Sequence, residues 1–198
     1  MMTDLLTSLR SIEVSLARLG RVELIQSLRP GLSAESSALM VEACGFEPSD
    51  DIPALFGWHN GCSWEGDPKL GKMWVYPPFI FVYLQDAIRI YCELKRSGNW
   101  NPDWFPVLLD DAGDFYAVDQ SEAAPRAVRH IRNEFLHRPV IEYSSLGAMA
   151  RTWAAAFDNG ALYVDPSDDC LNIHDDEFSS LAARMNPEIS WWSDPELA

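Results

Sequence analysis

Residues 104–120 read WFPVLLDDAGDFYAVDQ, two apolar runs separated by an acidic turn that contains a glycine. The residues from Asp110 to Gly113 are of the types that reverse a chain tightly, so this stretch predicts a β-hairpin. Side chains alternate between the two faces of a strand, and the second run is expected to divide accordingly. One face carries Phe115, Ala117 and Asp119, and the other carries Tyr116 and Val118.

Strand-forming residues recur in segments 72–82, 126–135 and 138–145. The first of these, KMWVYPPFIFV, is rich in aromatic and β-branched residues and predicts one or two short strands. Pro77 and Pro78 place it at a sheet edge or interrupt it. Strands that follow one another along the chain favour an antiparallel sheet with helices to one side, which is an α+β domain.

Apolar residues at helical spacing predict helices around this sheet. The segments are residues 1–28, 33–44, 49–59, 84–95, 144–157 and 175–185. Serines at the starts of the second and fifth segments are suitable N-caps, and the acidic start of the last segment suits the helix dipole. We therefore predict a helical extension over residues 1–28 that packs on one α+β domain over residues 29–198.

Residues 53–61, PALFGWHNG, predict the end of a helix. His59 is expected in the last turn, where an imidazole interacts favourably with the terminal carbonyls. Asn60 and Gly61 readily adopt the left-handed conformation that ends a helix. A nucleophile pair of Cys62 with His59 is the alternative, although the sequence offers no orienting group and no pocket for it.

Three stretches in order resemble the SUKH superfamily. Residues 28–46 (LRPGLSAESSALMVEACGF) and 50–61 (DDIPALFGWHNG) resemble its entry helices, which close on "HNG" or "HDG". Residues 105–119 (FPVLLDDAGDFYAVD) resemble its central hairpin, and residues 138–153 (RPVIEYSSLGAMARTW) its last strand and capped helix. The likeness covers roughly residues 29–186 as a matter of pattern.

This resemblance implies a curved, mainly antiparallel sheet flanked by helices, and it implies a binding role. Bacterial members of the family are typically immunity proteins encoded beside polymorphic toxins, and fungal members regulate cell-wall synthesis. The family has no catalytic residues to carry over. The acidic turn DDAGD departs from the paired glycines frequent in the family, which leaves the turn type open. The matching positions are expected to define the fold: Trp58, His59, Asn60, Gly61, Gly113, Asp114 and Asp119.

The net charge of −15 is the strongest compositional feature. It repels phosphate backbones and anionic membranes, so neither a nucleic acid nor a membrane is an expected partner. It attracts a basic protein and speeds the encounter, although solubility alone explains an acidic composition equally well. From Asp158 onward the chain has ten acidic residues and one arginine, Arg184, which favours a landing surface for a basic partner.

One stretch runs against this balance and is locally basic: Arg126, Arg129, His130, Arg132, His137 and Arg138. We expect it to offset acidic neighbours along one strand pair, because a nucleic-acid patch there would oppose the net charge.

The cysteines predict free thiols in a reducing cytoplasm. Cys44, Cys62, Cys92 and Cys170 lie far apart and form no CxxC pair, so neither a disulfide framework nor a zinc clip is expected. The first residues lack the basic and apolar pattern of a secretory signal. The longest apolar run, residues 75–84, is too short to span a bilayer.

The acidic residues are also compatible with two kinds of chemistry, calcium binding and hydrolysis. Asp165, Ser167 and Asp169 alternate as calcium ligands do, but Cys170 replaces the required glycine and no glutamate closes the loop. Paired carboxylates also serve hydrolases, yet turns and helix starts account for most acids here. No catalytic residue, metal or cofactor is therefore predicted.

The sequence instead predicts a partner-binding surface of carboxylates and tryptophan anchors. The acidic candidates are Asp110, Asp111, Asp114, Asp168, Asp169, Asp175 and Asp176. The aromatic candidates are Trp64, Trp74, Trp100, Trp191 and Trp192, whereas Trp58 and Trp153 lie on helical stripes typical of a core.

The leading hypothesis is an immunity protein that neutralises a cognate basic toxin, such as a nuclease, by direct binding. A regulatory scaffold of the cell-wall type and a hydrolase are the alternatives. A homodimer is compatible with the sequence.

Overall fold

The computed structural model describes residues 2–63, 70–133 and 139–193. These residues form seven α-helices: α1 (Met2–Arg18), α2 (Val22–Ser27), α3 (Ala34–Ala43), α4 (Asp51–Trp58), α5 (Leu84–Ser97), α6 (Leu146–Asn159) and α7 (Asp175–Met185). Short 3-10 turns occur at Leu70–Lys72 and Ser190–Trp192.

A five-stranded antiparallel sheet lies at the centre of the fold. Its strands, in spatial order, are β3 (Ile80–Phe81), β4 (Trp104–Leu109), β5 (Phe115–Asp119), β6 (Val128–Ile131) and β7 (Val140–Tyr143). Two separate antiparallel pairs accompany it: β1 (Leu28–Pro30) with β2 (His59–Cys62), and β8 (Leu162–Asp165) with β9 (Cys170–Ile173). The predicted mixed α+β fold with antiparallel strands is confirmed.

The hairpin of β4 and β5 forms where the sequence predicts it. Leu109 pairs with Phe115 across the turn, and Asp110 N donates to Asp114 O at 3.1 Å. The predicted alternation is also confirmed. Tyr116 and Val118 face the main core, whereas Phe115 and Ala117 face a smaller apolar cluster with Trp100 and Ile131.

Helix α1 belongs to the same hydrophobic core as the sheet. Its buried apolar residues are Leu5, Leu9, Ile12 and Leu16. It packs mainly against α6 and also against α4. The N-terminal helix is therefore a structural layer of this core, joined to it by continuous apolar contact.

Helix ends follow the predicted signals in most places. The Ser33 side chain accepts a hydrogen bond from Ser36 N and caps α3, and Ser145 does the same for α6 through Ala148 N. Gly160 ends α6 with φ of +84°, a conformation that glycine adopts without a steric penalty. Helix α7 has the predicted bounds.

Residues 59–62 correct the sequence prediction. Helix α4 ends at Trp58, and His59–Cys62 forms strand β2, which pairs with β1. His59 is therefore extended, with φ of −145° and ψ of 151°, and does not lie in a last helical turn. The pairing with β1, a tertiary contact, overrides the local signal.

The prediction for segment 72–82 is confirmed, because it forms one short strand, β3, at the edge of the sheet. A cis Pro77–Pro78 bond and an isolated bridge between Tyr76 and Phe79 precede this strand. Strand β9 was not predicted, because its sequence CLNI has no clear alternation. It forms by pairing with β8.

Candidate functional site

The predicted acids of the β4–β5 turn differ in exposure. Asp110 is only 7% exposed, and its Oδ1 accepts hydrogen bonds from Ala112 N at 2.9 Å and Asp114 N at 2.7 Å. The prediction that Asp110 meets a partner is thereby corrected, since its carboxylate is buried and closes the turn. Asp111 is exposed, and the half-buried Asp114 places Oδ2 3.7 Å from His130 Nε2.

The tip of the β8–β9 hairpin carries less uncompensated charge than the sequence suggests. Asp168 and Asp169 at the tip are both exposed, but Asp169 Oδ2 lies 2.7 Å from Lys72 Nζ. The buried guanidinium of Arg21 donates twice to Asp169 O, at 2.6 Å each. Asp168 Oδ1 accepts from Cys170 N at 2.9 Å. These contacts anchor the hairpin to Arg21, which precedes α2, and to Lys72 of the first 3-10 turn.

The calcium-like spacing in this hairpin is explained by turn geometry. Asp165 Oδ1 accepts a hydrogen bond from Ser167 N at 2.8 Å, as in an Asx turn. This backbone hydrogen bond, followed by one from the Ser167 side chain, lowers the pKa of Asp165. Within residues 2–63, 70–133 and 139–193, no group of three or more His, Cys, Asp or Glu side chains could hold a metal ion.

The start of α7 is the most acidic exposed element in the described part of the chain. Asp175, Asp176 and Glu177 occupy its first turn, and all three are exposed. Their position suits the helix dipole. Among the described residues, none of the three forms an ion pair within 4.0 Å. Their charge is therefore available to a partner.

Two of the predicted tryptophan anchors are buried. Trp100 is 7% exposed and donates through Nε1 to Trp104 O at 2.8 Å. Trp191 is 8% exposed, and the Arg132 guanidinium carbon lies 4.9 Å from its ring centroid. Trp100 belongs to the small apolar cluster with Ala117 and Ile131, and Arg132 covers the Trp191 ring, so the prediction that these two rings are exposed anchors is corrected.

Three further tryptophans, Trp58, Trp74 and Trp192, are half-buried. Trp74 and Trp58 pack against the core. Trp58 Nε1 donates to Glu13 Oε2 at 3.1 Å. Trp192 borders a cleft between α7 and the central sheet. Trp64 lies outside the described residues.

His59 and Asn60 join three separate elements. The two ring nitrogens of His59 lie 3.0 Å from Arg29 O and 3.3 Å from Glu13 Oε2, which links β2 to β1 and α1. Asn60 Oδ1 accepts from Leu84 N at 3.0 Å, at the start of α5. These contacts fix β2 against β1, α1 and the start of α5.

Gly61 is required by a close approach of two backbone segments. It has φ of +71°, and a Cβ at this position would lie 2.5 Å from Tyr83 N and 2.6 Å from Val82 O. Cys62, next in sequence, donates through Sγ to Phe81 O at 3.0 Å. Burial raises the pKa of the Cys62 thiol to about 12. The nucleophile pair with His59 is therefore not formed.

Two motif residues of the central hairpin also serve the fold. Gly113 lies in the turn with φ of +92°. The side chain of Asp119 is fully buried, accepts from Ser121 N at 2.8 Å, and pairs with Arg129 on β6. Arg129 also lies over the Trp104 ring, 5.1 Å from its centroid. The locally basic stretch thus supplies one of the internal counter-ions expected of it.

The structure reveals a cleft that the sequence did not predict. It has a volume of about 500 Å³, within the range of ligand pockets, about 300–1,000 Å³. Its walls come from the loop before β3, from strands β5, β6 and β7, from α7, and from the 3-10 turn Ser190–Trp192. Polar and aromatic residues of the lining include Tyr76, Tyr116, His130, Glu142, Asp175 and Trp192.

A buried carboxylate lies at the cleft. Glu142 is 3% exposed. Its Oε2 accepts from Tyr116 Oη at 2.6 Å, and its Oε1 lies 2.8 Å from His130 Nδ1. The backbone oxygen of Glu142 accepts from Trp192 Nε1 at 2.6 Å. The network fixes the carboxylate and the indole ring relative to each other.

Burial keeps the phenols around this carboxylate protonated. It raises the pKa of Tyr116 well above the usual value, and the charge of Glu142 raises it further. Burial likewise raises the pKa of Tyr76 and of Tyr143, and the nearby charge of Glu142 adds to both shifts. Tyr116 therefore acts as a permanent hydrogen-bond donor to Glu142 near neutral pH.

The sequence offered little to reveal this cleft. Glu142 and His130 lie in predicted strands, but only the register of β6 and β7 brings them together. Tyr76 and Trp192 come from distant segments of the chain. The local signal was a polar residue within each strand, His130 in β6 and Glu142 in β7, because buried polar residues need hydrogen-bond partners.

Comparison with known proteins does not assign the chain to a family. No family model matches it, and no curated protein matches it significantly. Among the described residues, none of the helices combines the length and apolar character required to cross a bilayer.

Proposed function

We propose that this protein binds a basic protein partner stoichiometrically, as an immunity protein that neutralises a cognate toxin. The observation that carries the proposal is the first turn of α7, where Asp175, Asp176 and Glu177 are exposed without ion pairs among the described residues. The net charge of −15 adds long-range attraction for a basic protein.

The position of these carboxylates beside an aromatic cleft also supports a binding role. Asp175 belongs both to the acidic turn and to the cleft wall, where Trp192 is half-buried. Protein interfaces commonly combine aromatic anchors, which supply affinity, with charges that speed association. A toxic nuclease must attract phosphate and so presents a complementary basic surface.

The resemblance to the SUKH superfamily gives this binding role its biological form. A bacterial member encoded beside a toxin gene protects the producing cell by binding that toxin. Co-expression with the neighbouring toxin gene tests the proposal. The expected result is cell survival and co-purification of the two proteins, and a failure of both would overturn it.

A hydrolase is the second candidate, and the cleft is the observation that favours it. Glu142 contacts His130, and Asp175 lines the same cleft, so two carboxylates and an imidazole border one cavity. If the protein is a hydrolase, Glu142→Gln should abolish a measurable turnover. If it is an immunity protein, the purified protein should show no turnover and should inhibit the toxin by forming a one-to-one complex with it.

A further inference from the structure

The cleft has the features of a site for a cationic side chain. Its lining includes the rings of Tyr76, Phe79, Tyr116, Phe178, Trp191 and Trp192. The faces of aromatic rings carry negative charge density and attract cations. Two carboxylates, those of Glu142 and Asp175, border the same space. Aromatic faces and carboxylates together favour a cation over a neutral or anionic ligand.

The two basic residues in the lining, His130 and Arg132, are already engaged, and His130 Nδ1 lies 2.8 Å from Glu142 Oε1. Arg132 lies over Trp191, with the guanidinium carbon 4.9 Å from the ring centroid. This contact shows the kind of cation–π geometry that this surface supports. Among the six Phe, Tyr and Trp rings that line the cleft in the described structure, Trp192 is the one that is half-buried. Its face is therefore the surface on which a second cation would stack.

The Trp192 ring is held in place before any ligand arrives. Its Nε1 donates to Glu142 O at 2.6 Å, and its ring packs at 5.6 Å from Tyr143 and 5.8 Å from Phe178, measured between centroids. A fixed ring loses little conformational freedom on binding, which favours affinity.

The Glu142 carboxylate retains capacity for a further donor. Each of its oxygens takes part in one contact, with Tyr116 or with His130. A carboxylate oxygen has two lone-pair sites, so each can accept a second hydrogen bond. A buried carboxylate is also stabilised by a nearby positive charge. Asp175, at the cleft edge, is exposed and adds a second acceptor.

We propose that the cleft receives one arginine side chain of the partner protein. The inference rests on the proposed function, because a basic partner supplies the arginine. Arginine fits better than lysine, since its planar guanidinium stacks on a ring and donates to carboxylates through a fork of N–H groups. The guanidinium stacks on Trp192 and points its N–H groups toward Asp175 and Glu142.

A small probe tests this site without the toxin. Nα-acetyl-arginine amide is titrated into the ¹⁵N-labelled protein at low salt, and the Trp192 indole N–H signal is followed by NMR. Loss of one signal in Trp192→Phe assigns it. The expected result is a saturable shift with the arginine probe, a weaker effect with the lysine analogue, and none with the neutral citrulline analogue.

Matched variants localise the binding. Asp175 lines the cleft, whereas its neighbour Asp176 does not. Asp175→Asn is expected to weaken binding of the arginine probe about threefold to tenfold, as loss of a charged hydrogen bond would. Asp176→Asn should change it less than about twofold, since that residue contributes only at long range. Both residues are exposed, so both variants should fold.

Three results would overturn the arginine site: an unmoved Trp192 signal, equal shifts with the citrulline probe, or equal affinities of the two variants. These failures are distinct from failure of the proposed function. If the toxin co-purifies but the probe does not bind, the arginine site is wrong and the immunity role stands. If the probe binds but no toxin is neutralised, the site stands and the immunity role fails.

Discussion

Arg129 donates from Nε to the carboxylate of Asp119 on the adjacent strand, and the Asp119 side chain is 0% exposed. Removal of Arg129 would leave an uncompensated buried charge. Arg129→Met is therefore expected to lower the free energy of unfolding by about 3–5 kcal/mol. Urea denaturation followed by tryptophan fluorescence measures the change.

The double variant Arg129→Met/Asp119→Leu is the control for that prediction. Replacing both charges by apolar groups removes the unpaired carboxylate, so much of the lost stability should return. If the double variant is less stable than Arg129→Met alone, the effect of Arg129 does not arise from leaving Asp119 unpaired.

Tyr116→Phe tests the hydrogen bond to Glu142. The substitution removes the hydroxyl that donates to Oε2 at 2.6 Å in a buried site. The expected loss of unfolding free energy is about 1–3 kcal/mol, because a charged acceptor loses a partner away from water. Tyr163→Phe is a suitable control, since Tyr163 is half-buried and stacks on His174. Equal losses for the two variants would refute the role of the Glu142 contact.

The pH dependence of stability tests the burial of Asp51. Burial raises its pKa in the folded protein, although the nearby Arg126 opposes the shift. A raised folded pKa gives stabilisation that is present below the unfolded value, near 3.9, and is lost as pH rises through the folded value. Asp51→Asn is therefore expected to raise the Tm at pH 7 by a few degrees, an advantage that disappears near pH 3.

Differential scanning calorimetry of both proteins between pH 3 and pH 7 checks this. The first-turn position of Asp51 favours the charged carboxylate through the helix dipole. If the dipole outweighs burial, Asp51→Asn will be less stable at pH 7, which would contradict the prediction.

The thiol of Cys62 should be chemically inert in the folded protein. Its pKa of about 12 leaves roughly one part in ten thousand as thiolate at pH 8. The half-buried thiols of Cys44, Cys92 and Cys170 are more accessible. Iodoacetamide labelling with peptide mass spectrometry should modify Cys62 only after denaturation. Native-state labelling of Cys62 as fast as that of Cys170 would be inconsistent with its burial.

Local signals were enough to predict the elements whose boundaries depend on nearby residues. The Asp110–Gly113 turn, the Ser145 cap and the bounds of α7 all follow from residues within a few positions. His59–Cys62 was predicted to end a helix because the decisive contact, β1, lies about thirty residues earlier in the chain.

The site was harder to predict than the fold for the same physical reason. The exposed acids of α7 could be anticipated from sequence, but the burial of Asp110, Trp100 and Trp191 depends on packing across the sheet. The cleft beside Glu142 depends on the register of β6 and β7. It also depends on the 3-10 turn Ser190–Trp192, which comes from a distant part of the chain and packs beside Glu142. Composition indicates how much charge a chain has, and only the fold decides which charges are already paired.

Titration of the purified toxin with the purified protein tests the central claim most directly. Stoichiometric binding predicts that toxin activity falls linearly and reaches its minimum at about one equivalent of protein, with recovery of an intact complex. A catalytic mode of action predicts complete inactivation at a small fraction of one equivalent, with chemically altered toxin or substrate. That second result would contradict the binding account.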